Sequence, residues 1–194
     1  MLAYVLTFGR LALAGAFAAC VAAAGAGVIA PPWAAVLVAL AVAVELTDFF
    51  DGIAARRAGK ASRLGGLLDP LCDSLARLTM YFSAALAGWV TVGVPLMMVG
   101  RDLVVAYVRT VRAHVGGPTS ARRSGKTKAI VQGLGIIALV LLASTEANWA
   151  PAGRWVVAGS VLAITLLSMI DYLRAGWGSV ADLYRMDISP RREA

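Results

Sequence analysis

The chain has 194 residues, of which 60% are hydrophobic and only 15% charged, with a formal net charge of +7. Together with a mean hydropathy of +0.77, this composition excludes an ordinary soluble domain, and repeated apolar runs long enough to cross a bilayer point to one polytopic membrane domain over residues 1–194. The basic residues fall in short connections without interleaved aromatics, which argues against a nucleic-acid surface and for membrane topology as the origin of the charge.

In chain order, a first predicted helix covers about residues 3–30 and ends at the Pro31-Pro32 break. Its apolar run is longer than a signal-peptide core and carries Arg10, so a retained helix is expected. Further spans are expected over about residues 33–57, 65–92, 94–115, 128–142 (with frayed flanks) and 155–173. Gly116, Gly117 and Pro118 punctuate the connection after the fourth. The expected fold class is therefore all-α with six transmembrane helices. From about residue 178 to 194 the chain is a polar tail, for which a short surface helix and a disordered segment are both open. Cys20 and Cys72 lie in apolar stretches without metal-ligand spacing; they read as small buried side chains, and no disulfide is expected.

The basic residues alternate with the spans. Arg56, Arg57, Lys60 and Arg63 follow the second span, Arg122, Arg123, Lys126 and Lys128 follow the fourth, and Arg185, Arg191 and Arg192 lie in the tail. The opposite connections carry only Arg154. This positive-inside pattern places both termini and the loop after the second span in the cytoplasm.

That loop lies within the most unusual stretch of the chain, residues 47–73, TDFFDGIAARRAGKASRLGGLLDPLCD. Asp48 and Asp51 are three apart, Asp69 and Asp73 four apart, so on helices each pair projects from one face, and a hairpin would bring the two faces together at the membrane surface. Four converging carboxylates repel unless cations share the site, which points to a binuclear divalent-metal centre. The alternative for such charges is a solvated loop, which helical spacing between long apolar runs disfavours.

The full pattern D-x-x-D-G-x-x-A-R, eight residues, then G-x-x-x-D-x-x-x-D is formed by Asp48, Asp51, Gly52, Ala55, Arg56, Gly65, Asp69 and Asp73. It resembles the signature of the CDP-alcohol phosphotransferase family of integral membrane enzymes. The resemblance implies an active site at the cytoplasmic ends of helices 2 and 3, two Mg²⁺ or Mn²⁺ ions held by Asp48, Asp51, Asp69 and Asp73, and Asp73 as general base. It also implies CDP-diacylglycerol as donor, met by Thr47, Gly52, Ala55, Arg56 and Gly65, with CMP leaving. A homodimer in a bacterial inner membrane, surrounded by membrane lipid, belongs to the same set of expectations. For the acceptor, Arg109, Arg112, Arg122, Arg123, Lys126 and Lys128 carry more charge than a neutral alcohol needs and favour a phosphorylated one; the other reading is that they enforce topology and hold anionic lipid. Ser124 to Lys128 with Gln132, Leu6, Thr7 and Arg10, and the helix holding Arg101, Arg109 and Arg112 are similar to bacterial phosphatidylglycerophosphate synthases, with Tyr4 and Asp102 as departures. Glycerol 3-phosphate is thus the expected acceptor. Arg77 after Asp73 is similar to inositol-phosphate-using relatives and keeps that alcohol as the alternative. A divalent-cation transporter and a non-catalytic scaffold are the other classes, but neither requires the Gly, Ala and Arg positions of the pattern.

Some ionisable residues lie deeper. Glu45 precedes Asp48 by about one turn and Arg77 follows Asp73 by one, so Glu45, Asp73 and Arg77 can cluster below the metal site. Arg101 and Asp102 inside the fourth span are either interhelical ties or lining of a wet cavity. His114 reads as a solvated interfacial residue. The topology has a direct check: with Cys20 and Cys72 replaced, cysteines at Lys60, Ser124 and Glu193 should react with an impermeant thiol reagent only from the cytoplasmic side. A cysteine at Gly93 should react only from outside, and mixed labelling of the first three would break the span count.

Overall fold

A computed structural model describes residues 2–25, 27–58, 63–115 and 123–188, with the side chains of 2–7, 48–58, 63–67, 123, 182 and 185–188 outside the described set. The elements are six helices and, among the described residues, no strand: α1 Leu2–Ala24, α2 Pro31–Ala58, α3 Arg63–Leu86, α4 Gly93–His114, α5 Arg123–Ala143 and α6 Ala150–Ile188. Long Ala, Leu and Val runs carry the helical backbone, and the breaks follow local chemistry. Gly25 and Gly27 take positive φ values of 78° and 108° and end α1 earlier than the apolar pattern suggests. Pro31 then opens α2, where a missing N–H and a fixed φ suit the first turn. At the end of α3, Gly88 (φ 78°) donates to the Ala85 carbonyl at 3.0 Å while Trp89 donates to Ala84 at 2.9 Å. This left-handed closure satisfies the last carbonyls and turns Trp89 into the core, where it is 2% exposed.

The sequence expectation differs from the structure at two further places. The fifth helix begins at Arg123, which draws Lys128 more than a turn inside it. Residues 178–188 of the expected polar tail, for which a short surface helix is one open form, continue α6 without a break to Ile188, and 189–194 lie outside the described residues.

Taken by their contacts, the helices form a ring in the order α1, α2, α5, α6, α4, α3, with α3 also touching α5. Phe17, Leu37, Met80, Trp89, Met98, Ile136 and Leu139 fill the apolar centre. The outer surface is also apolar: Leu103, Ile130, Leu134, Val156 and Leu167 are all more than half exposed. A surface of that kind suits lipid rather than water. Two stretches, Ser124–Ala143 and Ala150–Ala181, are long and apolar enough to cross a membrane, and Phe8–Ala24 and Pro31–Thr47 are shorter apolar helices.

In lipid, helix association depends on close packing and on polar ties. Tyr81 of α3 donates to the Gln132 carbonyl of α5 at 2.8 Å, and the Gln132 side chain donates to Thr165 of α6 at 3.0 Å. The approach of α3 and α6 to α5 needs Gly135, because a Cβ there would lie 2.6 Å from Tyr81 Oη and 2.9 Å from Val161 Cγ2. Gly135→Ala should therefore lower the melting temperature of the detergent-solubilised protein, an overpacking loss of about 1–3 kcal/mol. Gly100→Ala, where a Cβ meets nothing within 4 Å, should leave it unchanged. Equal melting temperatures for the two variants would contradict this packing.

Candidate functional site

The aspartate pattern occupies the end of one helix and the start of the next. Asp48, Asp51, Gly52, Ala55 and Arg56 lie on the last turns of α2, and Gly65, Asp69 and Asp73 on the first turns of α3. Side chains from Asp48 to Arg56, and that position at Gly65, are outside the described set, as is the connecting Lys60; helical backbone at Asp48 and Asp51 still puts the pair on one face. Pro70, inside α3, can offer no N–H to the Gly66 carbonyl, so the ladder is interrupted beside Asp69.

Asp73 is held by arginines from two helices. Arg77 Nη1 donates to Asp73 Oδ2 at 2.5 Å, and Arg10 Nη1 of α1 lies 3.6 Å from Asp73 Oδ1. Arg77 is 3% exposed and also makes a two-point bridge to Glu45 of α2, with Nε to Oε1 at 3.2 Å and Nη2 to Oε2 at 2.9 Å. The expected cluster of Glu45, Asp73 and Arg77 is thus present, and Arg10, 1% exposed, completes it. Arg10 Nε also donates to Thr47 Oγ1 at 3.4 Å, whose hydroxyl in turn donates to the Val44 carbonyl at 2.7 Å. Thr47, next to Asp48, is thereby tied to α1. Two carboxylates against two guanidiniums make a compensated set, as a partly buried charge cluster requires.

The donor chemistry at this end is entirely hard oxygen, which suits Mg²⁺ or Mn²⁺ over softer metals. Asp69 and Asp73 are both half-buried, one turn apart on α3. Among the described residues no three His, Cys, Asp or Glu side chains form a metal-holding group.

A second polar cluster joins α4, α5 and α6. Arg101, 7% exposed, donates from Nη1 to Asp102 Oδ1 at 2.8 Å and from Nη2 to Ser168 Oγ at 2.6 Å. Lys128 Nζ donates to the same Asp102 oxygen at 2.8 Å. The guanidiniums of Arg101 and Arg109 lie over the Tyr172 ring, 5.2 and 5.4 Å from its centroid, and Arg109 Nη2 donates to Tyr172 Oη at 3.0 Å. Ser124 donates to Asp171 Oδ2 at 2.5 Å and closes the start of α5 onto α6. Buried Nε groups of Arg101, Arg109 and Arg112 have no hydrogen-bond acceptor among the described residues. Buried donors of that kind suit an anion.

Of the basic residues expected around the acceptor, Arg109 and Lys128 join this cluster, Arg112 lies on the same helix as Arg109, and Lys126 is exposed near the start of α5. Arg123 has a described backbone only, and Arg122 lies outside the described residues. Lys128 is 5% exposed and bound to Asp102, a tie between α4 and α5 and not a loop cation. Ser168, Asp171 and Tyr172 were not singled out from sequence. Their spacing, with polar groups at i, i+3 and i+4 in an apolar run, puts them on one helix face and is the signal that could have found them.

The sequence model of the CDP-alcohol phosphatidyltransferase family matches residues 1–170. A CDP-diacylglycerol--glycerol-3-phosphate 3-phosphatidyltransferase of Salmonella choleraesuis is 29% identical over 159 residues, covering 77% of this chain and 84% of the relative. The protein of the same name from Yersinia pestis is 28% identical over 161 residues, with the same coverage of both chains. Because the family match spans both the aspartate-bearing helices and the basic cluster of α4 and α5, the chain belongs to the CDP-alcohol phosphatidyltransferase family.

Proposed function

We propose that this membrane protein transfers the phosphatidyl group of CDP-diacylglycerol to glycerol 3-phosphate, forming phosphatidylglycerophosphate and CMP. The observation that carries the reading is the family's aspartate pattern on α2 and α3 in the same bundle as the α4 arginines, of which Arg101 is buried and Arg109 and Arg112 also bury their Nε groups. The names of the relatives support the choice of donor and acceptor. All six helices are taken as spans, and the positive-inside pattern supports a cytoplasmic site in a bacterial inner membrane. A homodimer is proposed from the family resemblance.

Asp48, Asp51, Asp69 and Asp73 would hold two Mg²⁺ or Mn²⁺ ions. When bound, these ions neutralise the pyrophosphate and favour in-line displacement. Arg56 contacts the diphosphate, while Gly52, Ala55 and Gly65 keep side chains out of its path and Thr47 holds the adjoining turn of α2 in place. Asp73 accepts the proton of the acceptor hydroxyl as its oxygen attacks the phosphatidyl phosphorus, and the bond from phosphorus to the CMP oxygen breaks. Arg109 and Arg112, with Arg122, Arg123 and Lys126 of the following basic stretch, receive the acceptor phosphate; Lys128 acts through Asp102 and Arg101 to hold the cradle. The inositol-phosphate alternative rested on Arg77, whose three nitrogens all face Glu45 or Asp73.

Purified protein given CDP-diacylglycerol and a divalent metal should release CMP with glycerol 3-phosphate and yield phosphatidylglycerophosphate by mass spectrometry. EDTA or Asp51→Ala should abolish turnover, and activity surviving both would sink the metal-site assignment. Equal turnover with free glycerol or with inositol phosphate would sink the acceptor assignment.

The two halves of the site can be separated kinetically. Asp73→Asn should leave donor binding in place and lower transfer by roughly 10²-fold or more. Arg109→Gln should instead raise the KM for glycerol 3-phosphate by roughly tenfold with kcat little changed, because the phosphate is held equally in ground and transition states. Tyr172→Phe, which removes only the hydroxyl that meets Arg109, should give a smaller rise of the same kind. An unchanged KM in both would leave the basic cluster as a topology and lipid feature.

A further inference from the structure

Glu45 is outside the aspartate pattern, yet its carboxylate occupies a seat made by two other helices. Both of its oxygens accept from Arg77, and Arg77 turns its remaining nitrogen, Nη1, to Asp73 Oδ2. On the other side Glu45 lies against the backbone of α5 at Gly133. A Cβ at that position would stand 2.6 Å from Glu45 Cδ and 2.8 Å from each carboxylate oxygen. No side chain fits at residue 133 while Glu45 keeps this pose.

We infer that Glu45, seated on Gly133, is a positioning residue that orients Asp73 through Arg77; this rests on the reading of Asp73 as the proton acceptor. A two-point bridge fixes the plane of the Arg77 guanidinium, whereas a single contact would leave it free to rotate. With the plane fixed, Nη1 holds Oδ2, and Oδ1 is left on the side of Arg10. Small errors in the direction of a reacting carboxylate are costly in rate while leaving substrate affinity intact. The Gly133 seat separates this role from one of simple stability. The atoms that a new Cβ would strike are the far end of a flexible side chain, so Glu45 can swing aside without the helices repacking; the bridge is lost while Arg77 keeps Asp73 as its second partner.

The experiment compares Glu45→Gln, Gly133→Ala, the double variant and Asp73→Asn, all as detergent-solubilised full-length protein. Expected for Gly133→Ala, measured on the folded protein, is a kcat lowered about tenfold with KM for glycerol 3-phosphate within about twofold. Glu45→Gln should lower kcat at least as far, and adding Gly133→Ala to it should lower kcat no further, since the group being displaced no longer organises Arg77. Calorimetric titration of Mn²⁺ into the metal-stripped variants should give a Kd within about threefold of the native protein. Native kcat in Gly133→Ala beside an inactive Asp73→Asn overturns the positioning role and leaves Asp73 as the base. Losses that multiply in the double variant, a raised acceptor KM at native kcat, or more than a tenfold loss of Mn²⁺ affinity also overturn it, because each places Glu45 elsewhere in the machinery. Native kcat in Asp73→Asn overturns the underlying base assignment, whatever the other variants do.

Discussion

The buried guanidinium of Arg77 is the constraint around which this end of the bundle is arranged. A charge that is 3% exposed in an apolar, lipid-facing protein is sustained only by neighbours that satisfy it, and removing one partner of such a group typically costs about 3–5 kcal/mol. Glu45 and Asp73 supply that compensation, and in doing so they tie α2 to α3. Among the described residues, the two helices that carry the aspartate pattern pack less on each other than on α1 and α5, which both touch each of them. Glu45 and Asp73 are therefore held together by charge and by the intervening helices, with Arg10 of α1 and Gly133 of α5 both meeting the same cluster.

Legibility from sequence followed the range of the interaction. The aspartate pattern, the helical fold and the Asp73–Arg77 pair depend on spacing along one or two helices, and spacing is visible in a sequence. Glu45 joined that reading because it sits one turn from Asp48. Arg10 and Gly133 could not be read in the same way, since their roles depend on which helix lies beside which. Nothing in hydropathy sets α1 against α3, or marks Gly133 apart from the other small residues of α5. Lys128 was read as a loop cation because the apolar run begins there. The helix starts five residues earlier, at Arg123, and so buries its ammonium against Asp102. The polar end of α6 was ambiguous for the opposite reason. Charged residues beyond Trp177 break the apolar pattern without breaking the helix.

Helix α5 gives the bundle its internal register. Within six residues it presents Lys128 to Asp102 of α4, Gln132 to Thr165 of α6 with its carbonyl to Tyr81 of α3, and Gly133 to Glu45 of α2. These contacts point to four different helices and differ in kind: an ion pair, two neutral hydrogen bonds and a steric seat. A rotation of α5 that kept its Ala, Leu and Ile surface buried would break all of them together, leaving several buried polar groups unsatisfied. The apolar pattern of α5 cannot supply this discrimination, because that helix is apolar nearly all round. Its few polar residues and its glycines do so instead. They also fix how the carboxylate cluster of α2 and α3 stands relative to the polar cluster of α4 and α6, and the proposed transfer, which joins a group on one side to an alcohol on the other, depends on that spacing.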